Sequence, residues 1–408
     1  MNVLELGTRN LMRNPRRTTV TALSLAVGFA AIALFAGYTA TVYESLKAQA
    51  IYGELLGHLT IARPAYFDAS RQDPAKFLLG SAQVQGISAL VKTEFPGAVV
   101  APRLGLSGLL SNGRASGIFV AESLDPELMR VLRGPRARAS GALDEGSPQG
   151  VTLARGLAQS LELRDGSDGS VMVSTVRGQA NASDVQIIDT FSTGNVATND
   201  KFMFVPLPLA QSLMDAEGQA DRVTVLLPDG VDLDDAKRRA SAAFAGVGET
   251  LAVERWQDLS VFYAQVKALF DRVFAFLLSI VLVIVAMSVA NAMSMNVIER
   301  TREIGSLRAM GLRRSGVVRM FVAEALVLVV AGCLLGAMLA AVITACVNRI
   351  GITYIPPNAT EEVPLIIGFD LVKATLGALA LACIGVLASL FPARRAAAQP
   401  IVTSLAHV

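Results

Sequence analysis

The sequence predicts an integral membrane protein, α-helical across the bilayer with four transmembrane helices, and a large α/β extracytoplasmic domain inserted between the first and second of them. Three observations carry this expectation. Hydrophobic residues make up 52% of the 408 and charged residues only 17%, with a mean hydropathy of +0.49, too apolar for an ordinary soluble chain. Four apolar runs each reach the roughly 20 residues that a bilayer core requires, and one long polar stretch separates the first run from the second. Arginines gather at those ends of the runs that this topology places in the cytoplasm.

Taken in order, residues 1–17 set Val3, Leu4, Leu11 and Met12 among Arg9, Arg13, Arg16 and Arg17, the pattern of an amphipathic helix lying on the cytoplasmic face. The first span covers 18–43 and carries no charge. Its apolar run exceeds the 7–15 residues of a signal peptide, so it is expected to stay in the membrane. Residues 44–267 form the outer domain with stalk extensions. Strand-like runs recur at 58–62, 98–104, 117–122, 171–176, 185–189, 202–205 and 222–227, and helical stretches at 153–161, 207–216 and 233–245 alternate with them. Gly and Pro clusters mark loops, with 136–148 as the best internal lobe boundary. Trp256, Leu259, Tyr263, Val266 and Phe270 make a helical stripe that runs into the second span. It reads equally as a domain-closing helix or as a stalk that transmits motion.

The second span is placed at 268–297, a cytoplasmic helix at 298–316, the third span at 317–347, a short outer loop at 348–370, the fourth span at 371–391 and a cytoplasmic tail at 392–408. Both termini then lie in the cytoplasm. The outer loop carries Glu361, Glu362 and Asp370 against Arg349, and Pro356-Pro357 stiffens it. Cys333, Cys346 and Cys383 all fall in apolar runs and read as packing or lipid-facing side chains, so no disulfide framework is expected. The net charge of +2 reflects segregated rather than excess basic residues, and no nucleic-acid footprint is present.

The densest basic segment inside the chain runs from Asn296 to Phe321, NVIERTREIGSLRAMGLRRSGVVRMF. It contains no proline, and Ile298, Ile304, Leu307 and Met310 recur at helical spacing, so it reads as a short amphipathic helix broken near Gly311. Each arginine would cost about 2.5–3.5 kcal/mol at the bilayer centre, which keeps the segment at the surface or docked to a cytoplasmic partner. A basic loop that merely sets topology is the plainer reading. The run Glu299-Arg300-x-x-Glu303-Ile304-Gly305-x-x-Arg308-Ala309-x-Gly311, followed by a span with an early Glu324, resembles the signature of the FtsX-like permeases. These are membrane subunits of type VII ABC transporters and include the MacB exporters and the lipoprotein-releasing LolC and LolE. The stretches GVTLARGLAQSLELRDGS from Gly150 and FVPLPLAQSLMD from Phe204 are similar to parts of MacB-like periplasmic domains.

What the resemblance implies is a coupling helix that seats in a groove of a separate ATPase, with Glu299, Arg300, Arg302, Glu303, Ile304, Gly305, Leu307, Arg308, Met310 and Gly311 at that interface. It further implies a permease in the bacterial inner membrane that turns ATP hydrolysis by its partner into periplasmic motion, extracting or extruding a lipoprotein, lipid or peptide as LolC and LolE do. The alternatives within the family are an FtsX-like regulator of a cell-wall hydrolase and MacB-like efflux through an outer-membrane duct. Expected partners are a cytoplasmic ABC ATPase dimer, a second copy or a related permease, membrane lipids, and a periplasmic carrier or adaptor. No cofactor is expected in this chain; ATP and Mg would be bound by the ATPase. The residues agree that this chain is not the enzyme: it has no G-x-x-x-x-G-K-[ST] phosphate loop, and its two histidines, His58 and His407, fit no metal spacing. Glu324, the one acidic residue clearly inside a span, is expected to pair with Arg319 or Arg394 rather than to relay protons.

Overall fold

The computed structural model describes residues 15–69, 74–134, 141–355, 360 and 362–405. The expected interfacial helix at 1–17 therefore lies almost wholly outside the described residues, as do Pro356, Pro357 and Glu361. The chain forms two compact units: Met1–Glu44, Val266–Thr353 and Pro364–Val408 make the membrane unit, and Ser45–Gln265 with Tyr354–Val363 makes the outer domain.

Among the described residues four helices, over Thr18–Gly53, Val261–Glu299, Arg314–Ile350 and Leu371–Ala398, are long and apolar enough to cross a bilayer. The first is the central one, with half of its most apolar window buried against 11% for the second. Its Leu25, Phe29 and Ile32 pack with Val285, Val289 and Met293 of the second helix, Phe321, Leu328 and Val329 of the third and Leu381 of the fourth. Close approach of the first and third helices depends on a Gly-x-x-x-Gly pair, Gly332 and Gly336. A Cβ at Gly336 would stand 2.5 Å from the Ala26 carbonyl oxygen, and one at Gly332 would stand 2.5 Å from the Leu25 Cβ. At the other end of the unit the Tyr43 hydroxyl donates to the Asp271 carboxylate at 3.0 Å, and the Lys373 ammonium lies 4.8 Å over the Tyr43 ring.

The outer domain is a nine-stranded mixed sheet in which six strands close on themselves. With β2 (Val99–Ser111), β3 (Ser116–Leu124), β4 (Gly150–Ala154), β5 (Asp168–Ser174), β6 (Ala180–Phe191) and β7 (Phe202–Pro206), the order β2-β3-β7-β4-β6-β5 returns to β2. Leu104, Leu106, Leu110, Phe119, Val151, Leu153, Val173 and Ile187 fill this barrel. A second lobe continues from the other half of β2 through β8 (Arg222–Leu226), β1 (Leu59–Ala62) and β9 (Ala252–Arg255). The helices Ser81–Glu94 and Leu233–Gly246 contribute Ile87, Val91, Ala236 and Phe244 to its core. β2 thus serves both lobes: Val99–Arg103 pairs with β8, and Leu104–Ser111 pairs with β3. This corrects the expected lobe boundary at 136–148. Its described part leads into β4 inside the barrel, because the division runs along a shared strand and not through a linker. The stripe before the second span also needs correction. Trp256–Leu259 is a separate helical turn that ends at Ser260, and the long helix begins at Val261.

Charged side chains are buried where β2 changes partners. Arg103 is 1% exposed, and its guanidinium meets the carboxylate of Glu122, which also holds Arg222. Arg222 in turn pairs with Asp221 at 2.9 Å, and Asp221 accepts from the Gly105 amide and the Tyr66 hydroxyl, both at 2.8 Å. Burial alone would raise the Glu122 carboxyl, but the two guanidinium groups outweigh it and hold it below the ordinary carboxylate range.

Candidate functional site

The segment between the second and third spanning helices is built by two breaks in the helix. The second spanning helix stops at Glu299, and Arg300, at φ −112° and ψ 15°, leaves the helical range before a separate helix forms over Thr301–Ala309. The Thr301 hydroxyl donates to the Val297 carbonyl at 2.8 Å, taking up a backbone acceptor that the break releases. The second break is at Gly311, whose φ of +100° is open to glycine and costly for other residues. Arg313 is extended, and the third helix runs from Arg314 to Ile350. The sequence signals the break at Gly311; nothing in its composition signals the one at Arg300.

The break at Arg300 turns its side chain toward the third helix. Arg300 Nη1 lies 3.4 Å from Glu324 Oε2 and its Nε donates to Glu303 at 2.9 Å, while Asn296 Nδ2 donates to the other Glu324 oxygen at 2.9 Å. Glu324 is 1% exposed, so this cluster fastens the three helices together inside the unit. The expected partners Arg319 and Arg394 are not the ones used, and both are exposed. Arg319 precedes Glu324 by five positions, about 140° around the helix, which sends the two side chains to different faces. Asn296 and Arg300 were visible in sequence as a polar residue in a span and a basic one beyond it, but only the chain reversal brings them to Glu324.

The short helix has an inner and an outer face. Thr301, Ile304 and Gly305 are buried, and Ile304 joins Val297, Val317, Met320, Phe321, Ala393 and Ala396 in one apolar cluster. The helix Ile401–Leu405 packs along it, and the Arg308 guanidinium donates to the Gln399 carbonyl. Leu307, Arg308 and Glu303 are half-buried; Glu299, Arg302, Ser306, Met310 and Gly311 are exposed, with Met310 at 77%. The interface residues expected from the sequence are therefore divided. Ile304 and Gly305 anchor the helix to its own unit, whereas Glu299, Arg302 and Met310 face outward. A rod about 14 Å long, fixed on one side and exposed on the other, can pass a push on its outer face to both helices it joins.

Residues 275–401 match the FtsX-like permease C-terminal family, and residues 18–243, more than half the chain, match the MacB-like periplasmic core domain. The chain is 27% identical over 214 residues to an uncharacterized ABC transporter permease of Methanocaldococcus jannaschii, covering 50% of this chain and 51% of that protein. It is 29% identical over 213 residues to the macrolide export ATP-binding/permease protein MacB of Salmonella typhimurium, covering 51% of this chain and 31% of that protein. The chain thus spans about half the length of the archaeal relative and under a third of that MacB. Among solved structures it is similar to the periplasmic region of MacB from Actinobacillus actinomycetemcomitans, with 14% identity and a TM-score of 0.36, covering 49% of this chain and 89% of that one. With one family covering the first helix and outer domain and the other covering the remaining three helices, the chain belongs to the MacB-like, FtsX-like family of type VII ABC transporter permeases.

Proposed function

We propose that this permease works in the bacterial inner membrane with a separate ATPase dimer, whose hydrolysis of ATP it converts into movement of the outer domain. The movement serves to extract or extrude a lipoprotein, lipid or peptide. The supporting observation is the helix Thr301–Ala309, seated on its own unit through Ile304 and Gly305 with Arg302 and Met310 left on the outside. Family membership implies the ATPase, and a second copy or a related permease completes the pair of membrane subunits. Mild solubilisation followed by affinity purification tests this reading. A small ATPase that co-purifies and hydrolyses ATP faster with the permease than without it is the expected result. A cell-wall hydrolase that co-purifies, with no released lipoprotein or lipid, would favour the regulator instead.

Orientation has its own test. In a variant lacking Cys333, Cys346 and Cys383, single cysteines are placed at Glu145, in the outer domain, and at Ser315, exposed at the start of the third helix. With an impermeant maleimide on intact spheroplasts, only the first should be labelled. Equal labelling would overturn the proposed topology.

A further inference from the structure

Resting on that proposed function, we infer that Arg103 and Glu122 form the junction through which movement of the first spanning helix reaches both lobes of the outer domain. The chain leaves the helix Pro15–Ala48 through a π-helical turn, Gln49–Gly53, in which the Glu54 amide reaches back to the Gln49 carbonyl at 2.8 Å. Turns of this kind recur at functional positions in helices. Two residues later Leu55, 1% exposed and at φ +57°, takes a left-handed conformation that is strained for leucine. Its carbonyl accepts from the Arg103 guanidinium and from the Thr224 hydroxyl. The backbone that continues the first helix is therefore tied to β2 and β8 at the point where β2 passes from one lobe to the other.

For stability alone, apolar side chains in place of the Arg103–Glu122 pair would serve about as well, since burying the charges consumes most of what their pairing returns. Among the described residues Arg103 Nε even lacks an acceptor. A planar fork of donors adds direction: it holds Leu55 on one side and Glu122 of β3 on the other. Glu122 extends the connection to Arg222, and Arg222 to Asp221, so that β2, β3 and β8 are fastened at one place. Residues 50, 51 and 55 also share an apolar cluster with Ala101 and Trp256, which keeps the tied backbone from sliding. A contiguous network of this type carries coupling when its members move together.

Hydrogen–deuterium exchange on the full permease–ATPase complex in nanodiscs, compared between ADP and Mg-ATP-vanadate, tests the junction. In the parent protein the nucleotide should change exchange both at 45–57 and in β2, β3 and β8. In the double variant Arg103→Met, Glu122→Gln, the change at 45–57 should persist. The change in β2, β3 and β8 should fall by at least about fivefold, the low end of ordinary allosteric coupling. ATPase binding should be unaltered. A double variant that transmits the change like the parent overturns the junction. So does a parent in which the change stops at 57, while the transport reading then stands. A parent with no nucleotide-dependent change anywhere overturns the proposed function and the junction with it. Circular dichroism verifies folding. Should the double variant not fold, Arg103→Lys replaces it: a point charge can keep Glu122 but cannot also reach Leu55, so transmission should again fall, and undiminished transmission overturns the inference.

Discussion

Replacing Arg300 with alanine is expected to destabilise the membrane unit by about 3–5 kcal/mol, because it strands the Glu324 carboxylate without its cation. Glu324 is 1% exposed, and after the substitution only Asn296 among the described residues would remain to answer its two oxygens. Arg300 also holds Glu303, so the start of the short helix loosens at the same time. Glu324→Gln should be milder, by about 1–2 kcal/mol, since the amide still accepts from Asn296 and leaves no buried charge. The pair Arg300→Met, Glu324→Leu should recover part of the loss, as it leaves no buried charge unpaired, although Asn296 and Glu303 each lose a partner. Thermal melting in detergent micelles, arranged as a double-mutant cycle, measures each term. An Arg300→Ala protein that melts like the parent would mean that water solvates Glu324. A loss of turnover in a well-folded Glu324→Gln protein would then point to proton relay.

Much of this architecture was legible in sequence because the signals are physical and strong. Four long apolar runs admit few interpretations, and seven strands fall on runs rich in β-branched and aromatic residues. The failures have identifiable causes. β2 continues seven residues past its expected end at Leu104, but Gly105 and Gly108 dilute its pattern. Gly108 is required by a neighbour: a Cβ there would lie 2.1 Å from the Met172 carbonyl oxygen, and no local signal conveys that. β4 is buried at all five positions, so it lacks the alternation that marks a strand, and the helix expected at 153–161 overlaps its last two residues. At the candidate site the amphipathic helix itself was readable, but which of its faces met the rest of the chain was not. That depends on the fourth helix and on Ile401–Leu405, nearly a hundred residues away.

Gly305 and Arg302 should consequently fail in opposite ways when substituted. Gly305 is buried, and the sequence signature alone would have set it against the ATPase groove. Gly305→Leu forces four carbons into a packed site between the short helix and its own unit, with an overpacking cost of about 1–3 kcal/mol. The expected result is a permease that melts earlier even without its partner, and that loses ATPase stimulation as a consequence. Arg302 and Met310 are exposed, so Arg302→Glu and Met310→Asp should leave melting within about 0.5 kcal/mol of the parent. Both should nonetheless weaken ATPase binding. Reversing or inserting a charge at a docked interface costs about 2–5 kcal/mol, which is about 30-fold or more in Kd. Melting of the isolated permease and titration with the ATPase, read on the same three variants, separate the two faces. If Gly305→Leu melts like the parent yet no longer binds, Gly305 faces the partner after all. If Arg302→Glu and Met310→Asp bind undiminished, the docking surface lies elsewhere on the cytoplasmic side, and Thr301–Ala309 serves only to join the second and third helices.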